Sequence, residues 1–274
     1  VNPLQVKEVA RSFGGVVAVD GVSFDLEEGE LLGLIGPNGA GKSTVLAMLA
    51  GSVSADNGSI LLNGQEVAGR SSHAIARLGL RRCYQIPHTI EKLSVLENML
   101  VGGGRAHCTL RSAVLKPWST RAADRKIVAE AMVFLRRFGV EHLAQRPAGE
   151  LSGGQRKLLS IGQALMGRPN VLVLDEPVAG VHPRFVDDIA ALLLDVRKQG
   201  VSLLIVEHNL RFLEMVADRV VVMARGQVLA QGTLAAVRER DDVADAYLGR
   251  RTMGGDHPEA ETNRIQIHRQ EQPK

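Results

Sequence analysis

One stretch constrains this chain more than any other: Gly36-Pro37-Asn38-Gly39-Ala40-Gly41-Lys42-Ser43-Thr44, which fits the pattern G-x-x-x-x-G-K-[ST]. Its flanks fit as well. The apolar run Leu31–Ile35 ahead of it predicts a buried strand, and Val45-Leu46-Ala47-Met48-Leu49 after it opens a helix. Three glycines let the backbone curl so that several N–H groups point into one concavity. The helix N-terminus adds partial positive charge, and the two together suit a polyphosphate. Lys42 is placed to reach the β- and γ-phosphates, and the Ser43 hydroxyl to ligate Mg²⁺. Set between a strand and a helix, the pattern outweighs an ordinary glycine-rich turn and predicts binding of a nucleoside triphosphate.

Composition narrows the partners. The chain has 274 residues, enough for one large α/β domain or a domain with a subdomain. A net charge of +3 is too small to argue for nucleic acid, and 3% aromatic content argues against a base-stacking platform. No apolar run approaches the ~20 residues that cross a bilayer. The N-terminus lacks the apolar core of a secretory signal. Cys83 and Cys108 make neither a metal spacing nor a disulfide framework, which fits reduced thiols in the cytoplasm.

Along the chain, residues 4–35 read as antiparallel strands leading into the phosphate loop, broken at Gly14-Gly15 and Glu27-Glu28-Gly29. Turn signals at Asp56-Asn57-Gly58 and Asn63-Gly64 bracket a short strand, Ser59–Leu62. From residue 86 to 150 strand runs vanish, and Ile127, Ala131, Phe134, Leu135 and Phe138 recur at helical spacing. This predicts a helical insertion, with a helical subdomain spanning residues 86–165. Within it Gly102-Gly103-Gly104 and Lys116-Pro117-Trp118 read as loops. Strands return at Val171–Leu174, Val201–Val206 and Arg219–Met223, with a helix from Pro183 between them. Strand–helix–strand repetition predicts a mainly parallel core sheet. The folded part is read as residues 1–249, and the polar tail 250–274 as disordered or as folding on a partner.

Two further segments carry chemistry. Val171–Leu174 runs straight into Asp175-Glu176, so a buried strand delivers two carboxylates at the edge where α/β sheets bind ligands. Asp175 is suited to hold Mg²⁺ through water, and Glu176 to polarise an attacking water. Leu151-Ser152-Gly153-Gly154-Gln155 precedes a helix from about Arg156 to Met166, making a second anion site at a helix start. A second such site makes sense if it faces the nucleotide of another copy; standing alone it is a glycine-rich helix cap.

These three segments, in this order, resemble the ATP-binding subunit of ABC transporters over residues 4–249. The resemblance implies a P-loop NTPase core with a mainly parallel sheet, an antiparallel β subdomain and a helical insertion. It implies ATP and Mg²⁺ as cofactors. Residue by residue, Gln85 matches the Q-loop glutamine that contacts Mg²⁺ and water, and His208 the switch histidine that contacts the γ-phosphate. Phe13 resembles the aromatic that stacks on adenine; a core phenylalanine is the alternative. Ser152, Gly153, Gly154 and Gln155 match the signature that completes the site of the second copy. The chain departs from the family at Ala179-Gly180-Val181-His182, where Ser-Ala-Leu-Asp is common; His182 replaces the interface aspartate.

Gly79–Gln85, Val95–Asn98, Lys157–Leu165, Glu207–Leu210 and Ala246–Gly249 resemble the branched-chain amino-acid uptake class. Related members handle urea or amides, and a soluble ABC ATPase without a transport role is the rival reading. The resemblance implies transmembrane permease subunits as partners, a second ATPase subunit (the same or a homologous chain), and indirectly a solute-binding protein. It implies a peripheral place on the cytoplasmic face of the membrane.

Overall fold

Leu31–Ile35, Val171–Leu174 and Ser202–Val206 are buried along their whole length, as strands covered on both faces must be. They form the middle of the protein in this computed structural model, which describes residues 2–85, 89–103 and 117–248. β1 (Leu4–Phe13) and β2 (Val16–Leu26) form a hairpin ahead of β3 (Leu31–Ile35), which runs into α1 (Lys42–Leu49). β4 (Asn57–Leu62), β5 (Gln65–Glu66), α2 (Ser72–Arg77) and β6 (Leu80–Cys83) follow. Then come α3 (Val95–Gly102), α4 (Pro117–Arg137), α5 (Gly153–Met166), β7 (Val171–Asp175) and α6 (Pro183–Lys198). β8 (Ser202–Val206), α7 (Leu210–Val216), β9 (Arg219–Ala224), β10 (Gln227–Gly232), α8 (Leu234–Arg238) and α9 (Asp241–Leu248) complete the described chain.

The six-stranded sheet has the order β10-β9-β3-β8-β7-β6. Every pairing from β9 to β6 is parallel, and only β10 runs against its neighbour. Side chains alternate across it with the strand period of two. Leu172, Leu174, Leu203 and Ile205 face a core shared with Leu158 and Ile161 of α5 and Ile189 and Leu193 of α6. Val171, Val173, Leu204 and Val206 face the opposite core, shared with Leu46 and Leu49 of α1. The second sheet, β2-β1-β4-β5, is antiparallel and closes that core with Leu4, Val6, Phe24, Leu26, Ile60 and Leu62.

The stretch between β6 and β7 is helical where described. Ser94 and Glu97 form a capping box at the start of α3. On and just past α4, Ala131, Leu135 and Phe138 are buried, with Ile127 and Phe134 packed beside them. Two loop expectations are corrected. Gly102 is the last residue of α3 and Gly103 its cap, because the carbonyls of Met99 and Val101 bond the cap. Pro117-Trp118 opens α4 rather than a loop, consistent with proline's fit at a first helical position. The tail 250–274 and Cys108 lie outside the described residues.

β6 and β10 go beyond the sequence reading, and β6 matters for the site. It adds Leu80–Cys83 in register with Val171–Leu174 of β7, so Gln85 emerges beside Asp175 and Glu176.

The glycines of the phosphate loop differ in what they require. A Cβ on Gly36 would lie 2.1 Å from the Met223 carbonyl oxygen, whereas Gly39 has open space around it. Both have positive φ, 149° and 80°. Gly39→Ala should therefore cost only about 1–2 kcal/mol, the left-handed penalty. Gly36→Ala should cost clearly more, since backbone has to move as well. Urea unfolding of the two variants checks this order, and equal losses would contradict it.

Candidate active site

The phosphate loop turns at Gly36, Gly39 and Gly41, all with positive φ. Gly41 is the N-cap of α1, in the left-handed conformation, with no side-chain cap and no acidic residue in the first turn. The start of α1 thus keeps its donors and its partial positive charge. Lys42 curls back, and its Nζ donates to the Gly36 and Pro37 carbonyls at 2.7 and 2.9 Å. Burial pulls the Lys42 pKa below the usual lysine range, against the opposing fields of Glu176 and Asp175. Asn38 and Ser43 are exposed, Thr44 half-buried and Ala40 buried. The Ala40 carbonyl accepts from Gly226, which pins the loop to the β9–β10 turn.

At the ends of β7 and β8 the carboxylates take different partners. Asp175 is ion-paired with Arg82 of β6 at 2.7 Å, with side chains only 12% and 10% exposed. The Arg82 guanidinium also lies 4.6 Å from the Tyr84 ring centre. Glu176 has a left-handed backbone, φ 48°. Its Oε2 accepts from Gln85 Nε2 at 2.6 Å, and its Oε1 lies 3.7 Å from His208 Nδ1. The fold therefore brings Gln85, Glu176 and His208 together from three separate elements.

Behind them is a buried layer that sequence reasoning missed. Lys157, on α5, donates through Nζ to the backbone carbonyls of Gln85 and Glu176. Glu207 is almost fully buried and accepts from the N–H groups of Val178, His208 and Asn209 at 3.0–3.1 Å. Burial lowers the Lys157 pKa, and Glu207 is the largest opposing influence. The only signal in the sequence was a charge beside an apolar run, which many surface positions share.

Phe13 is 44% exposed and carries the Arg11 guanidinium 4.8 Å from its ring centre, so it is not a core residue. Its hairpin abuts the loop, since a Cβ on Gly41 would sit 2.4 Å from the Ala18 carbonyl. Ser152 and Gln155 lie at the start of α5. Each bonds the other's backbone N–H, so the start of α5 is closed by its own capping box. Gly153 has open space, but a Cβ on Gly154 would strike the Phe185 ring at 2.9 Å. Helix α5 accordingly starts at Gly153, three residues earlier than the sequence suggested. His182 is the N-cap of α6, its Nδ1 accepting from the Arg184 N–H.

The model of the ABC transporter family matches residues 19–179. The chain is 36% identical to the high-affinity branched-chain amino acid transport ATP-binding protein BraF of Pseudomonas aeruginosa, covering 90% of this chain and 97% of that one. It is 36% identical to the corresponding LivG protein of Escherichia coli with the same coverage. A solved ATP-binding cassette of an ABC transporter in its ADP conformation superposes with TM-score 0.79 at 33% identity, covering 91% of this chain and 100% of that one. A nucleotide-free cassette gives 0.78 at 33% identity, with 90% and 98% coverage. The chain belongs to the ABC transporter family, as a nucleotide-binding, ATP-hydrolysing subunit.

Proposed function

We propose that this chain powers import of branched-chain amino acids or similar small polar solutes through partner permease subunits. The observation that carries the hydrolytic part is the meeting of Gln85 and His208 at Glu176, at the same sheet edge as Lys42. Lys42 exchanges its bonds to Gly36 and Pro37 for the β- and γ-phosphate oxygens. The N–H groups of Gly39–Thr44 hold the rest of the polyphosphate. Glu176 orients water for attack on the γ-phosphorus, with Gln85 and His208 fixing its position. Phe13 offers the adenine an exposed ring beside the loop.

The residues fit Mg²⁺. Gln85 donates through Nε2 to Glu176, which leaves its carbonyl oxygen for a cation. Ser43 and Asp175 add two more oxygens, the hard donors that Mg²⁺ takes. Bound there, Mg²⁺ would neutralise charge developing on the phosphates. Among the described residues no three His, Cys, Asp or Glu cluster as a metal cage, and an ion shared with phosphates needs none.

Ser152–Gln155 complete the site of a second copy, which gives a role to a glycine-rich helix start that lies outside the chain's own phosphate loop. No helix among the described residues is long and apolar enough to cross a membrane. Attachment at the cytoplasmic face would rest on permease subunits. The choice of solute is supported by the BraF and LivG relatives, which are branched-chain amino acid transport ATP-binding proteins.

Lys42→Ala should weaken ATP binding by about 10- to 100-fold, the loss of one or two charge-assisted hydrogen bonds. Calorimetric titration reads this directly, and wild-type affinity would refute the role. Glu176→Gln should keep ATP affinity while turnover falls by about 10²–10⁴-fold, and it should accumulate as an ATP-bound dimer on size exclusion.

Ser152→Arg should bind ATP as a single copy yet fail to hydrolyse it. Mixed with Lys42→Ala it should recover one working site per mixed dimer, because each variant spoils a different half. No recovery across the mixing ratio would oppose a shared site.

In cells, loss of the chain should reduce uptake of leucine, isoleucine or valine, and Glu176→Gln should not restore it. Unchanged uptake of all three, with loss of an amide, urea or an unrelated solute, would exclude the branched-chain assignment.

A further inference from the structure

Glu176 has an uncommon backbone for a side chain of its kind. Its φ of 48° is left-handed, a conformation that strains an L-residue and persists only where the surroundings hold it. Both of its backbone groups are held. Its N–H donates to the Val206 carbonyl at 2.9 Å, and its carbonyl accepts from the Ala179 N–H at 3.2 Å and from Lys157 Nζ at 2.9 Å. Lys157 is the one side chain in that set. It comes from α5, two residues past Gln155, and its other recorded bond is to the Gln85 carbonyl. Only 8% of the residue is exposed.

A buried ammonium is costly unless it is paired and hydrogen-bonded. Two carbonyls satisfy two of its three protons, and Glu207 supplies the compensating charge. Glu207 in turn fixes the N–H groups of Val178 and His208. The backbones of Gln85 and Glu176 are thus tied to Lys157, and those of Val178 and His208 to Glu207, and the lysine sits on the helix capped by Ser152.

We propose that Lys157 is a positioning residue: it holds Glu176 in the left-handed conformation that aims its carboxylate, and couples that aim to the seating of helix α5. The catalytic consequence rests on the reading of Glu176 given above, whereas the backbone restraint does not. Without Lys157 the peptide after Glu176 can relax, and a displacement on the order of 1 Å at a reacting group costs up to about 10²-fold in rate.

Two measurements on the full chain test this. In the first, Lys157→Met should lower kcat for ATP by between about 10- and 100-fold with KM near the wild-type value, and Lys157→Arg should recover most of it. An unchanged kcat, or a fall in kcat that Lys157→Arg does not relieve, would overturn the proposal. The second is a thermal-melting cycle with Glu176→Gly, since glycine adopts the left-handed backbone without penalty. Lys157→Met should lower Tm in the wild-type background and lower it less, by about 2–6 °C, in the Glu176→Gly background. Equal drops would mean that Lys157 is merely a buried lysine, and would overturn the proposal. If Lys157→Met alone does not fold, the double variant should fold; its failure to do so counts against the proposal. Normal hydrolysis by Glu176→Gln would remove the catalytic role of Glu176 but leave the melting cycle to decide the restraint.

Discussion

Parallel pairing of β3 with β8 and β9, and of β8 with β7, is the constraint on which everything else depends. Parallel strands present all their C-terminal ends on one edge. Gly36 follows β3, Glu176 follows β7 and Glu207 follows β8, so residues far apart in the chain arrive within bonding reach. The pairing is fixed by burial. Shifting a strand by one residue would exchange the Leu172/Leu174 face for the Val171/Val173 face and mismatch two differently shaped cores. The site's precision is therefore inherited from apolar packing several residues away from any charged atom.

Charge at this edge is arranged in opposed partners. Asp175 meets Arg82, Glu176 meets Gln85 and His208, and Glu207 sits with Lys157 behind them. Burial of ions is tolerable only with such compensation. Lys42, like Lys157, is held by two neutral carbonyls, in its case those of its own loop. Such bonds are individually weaker than bonds to an anion, which leaves Lys42 ready to change partners.

The central strands were legible because a strand buried on both faces must be apolar throughout, and Leu31–Ile35 and Val171–Leu174 are. β6 was not legible: Arg81 and Arg82 interrupt the apolar pattern, and the Arg82 charge is received by Asp175 of β7. β10 alternates with Gln227 and Gln231 at the sheet's edge, which reads as loop without its partner β9. Pro117 reads as part of a loop from its residue type, although a first helical turn needs no N–H there. In the site, the loop glycines, Lys42, Asp175 and Glu176 follow from local pattern. Lys157 and Glu207 do not, because their importance lies in contacts with backbone carbonyls and N–H groups, which carry no residue identity.

The capping box of α5 has an implication for timing. Ser152 and Gln155 spend their polar atoms on each other while the chain is alone. An N-cap of this kind is worth about 1 kcal/mol, so the helix start is a poor trap for stray phosphate or carboxylate anions. Any ligand that recruits it has to outbid a bond already made. The start of α5 is thereby closed by a latch of its own making, which an incoming acceptor has to displace.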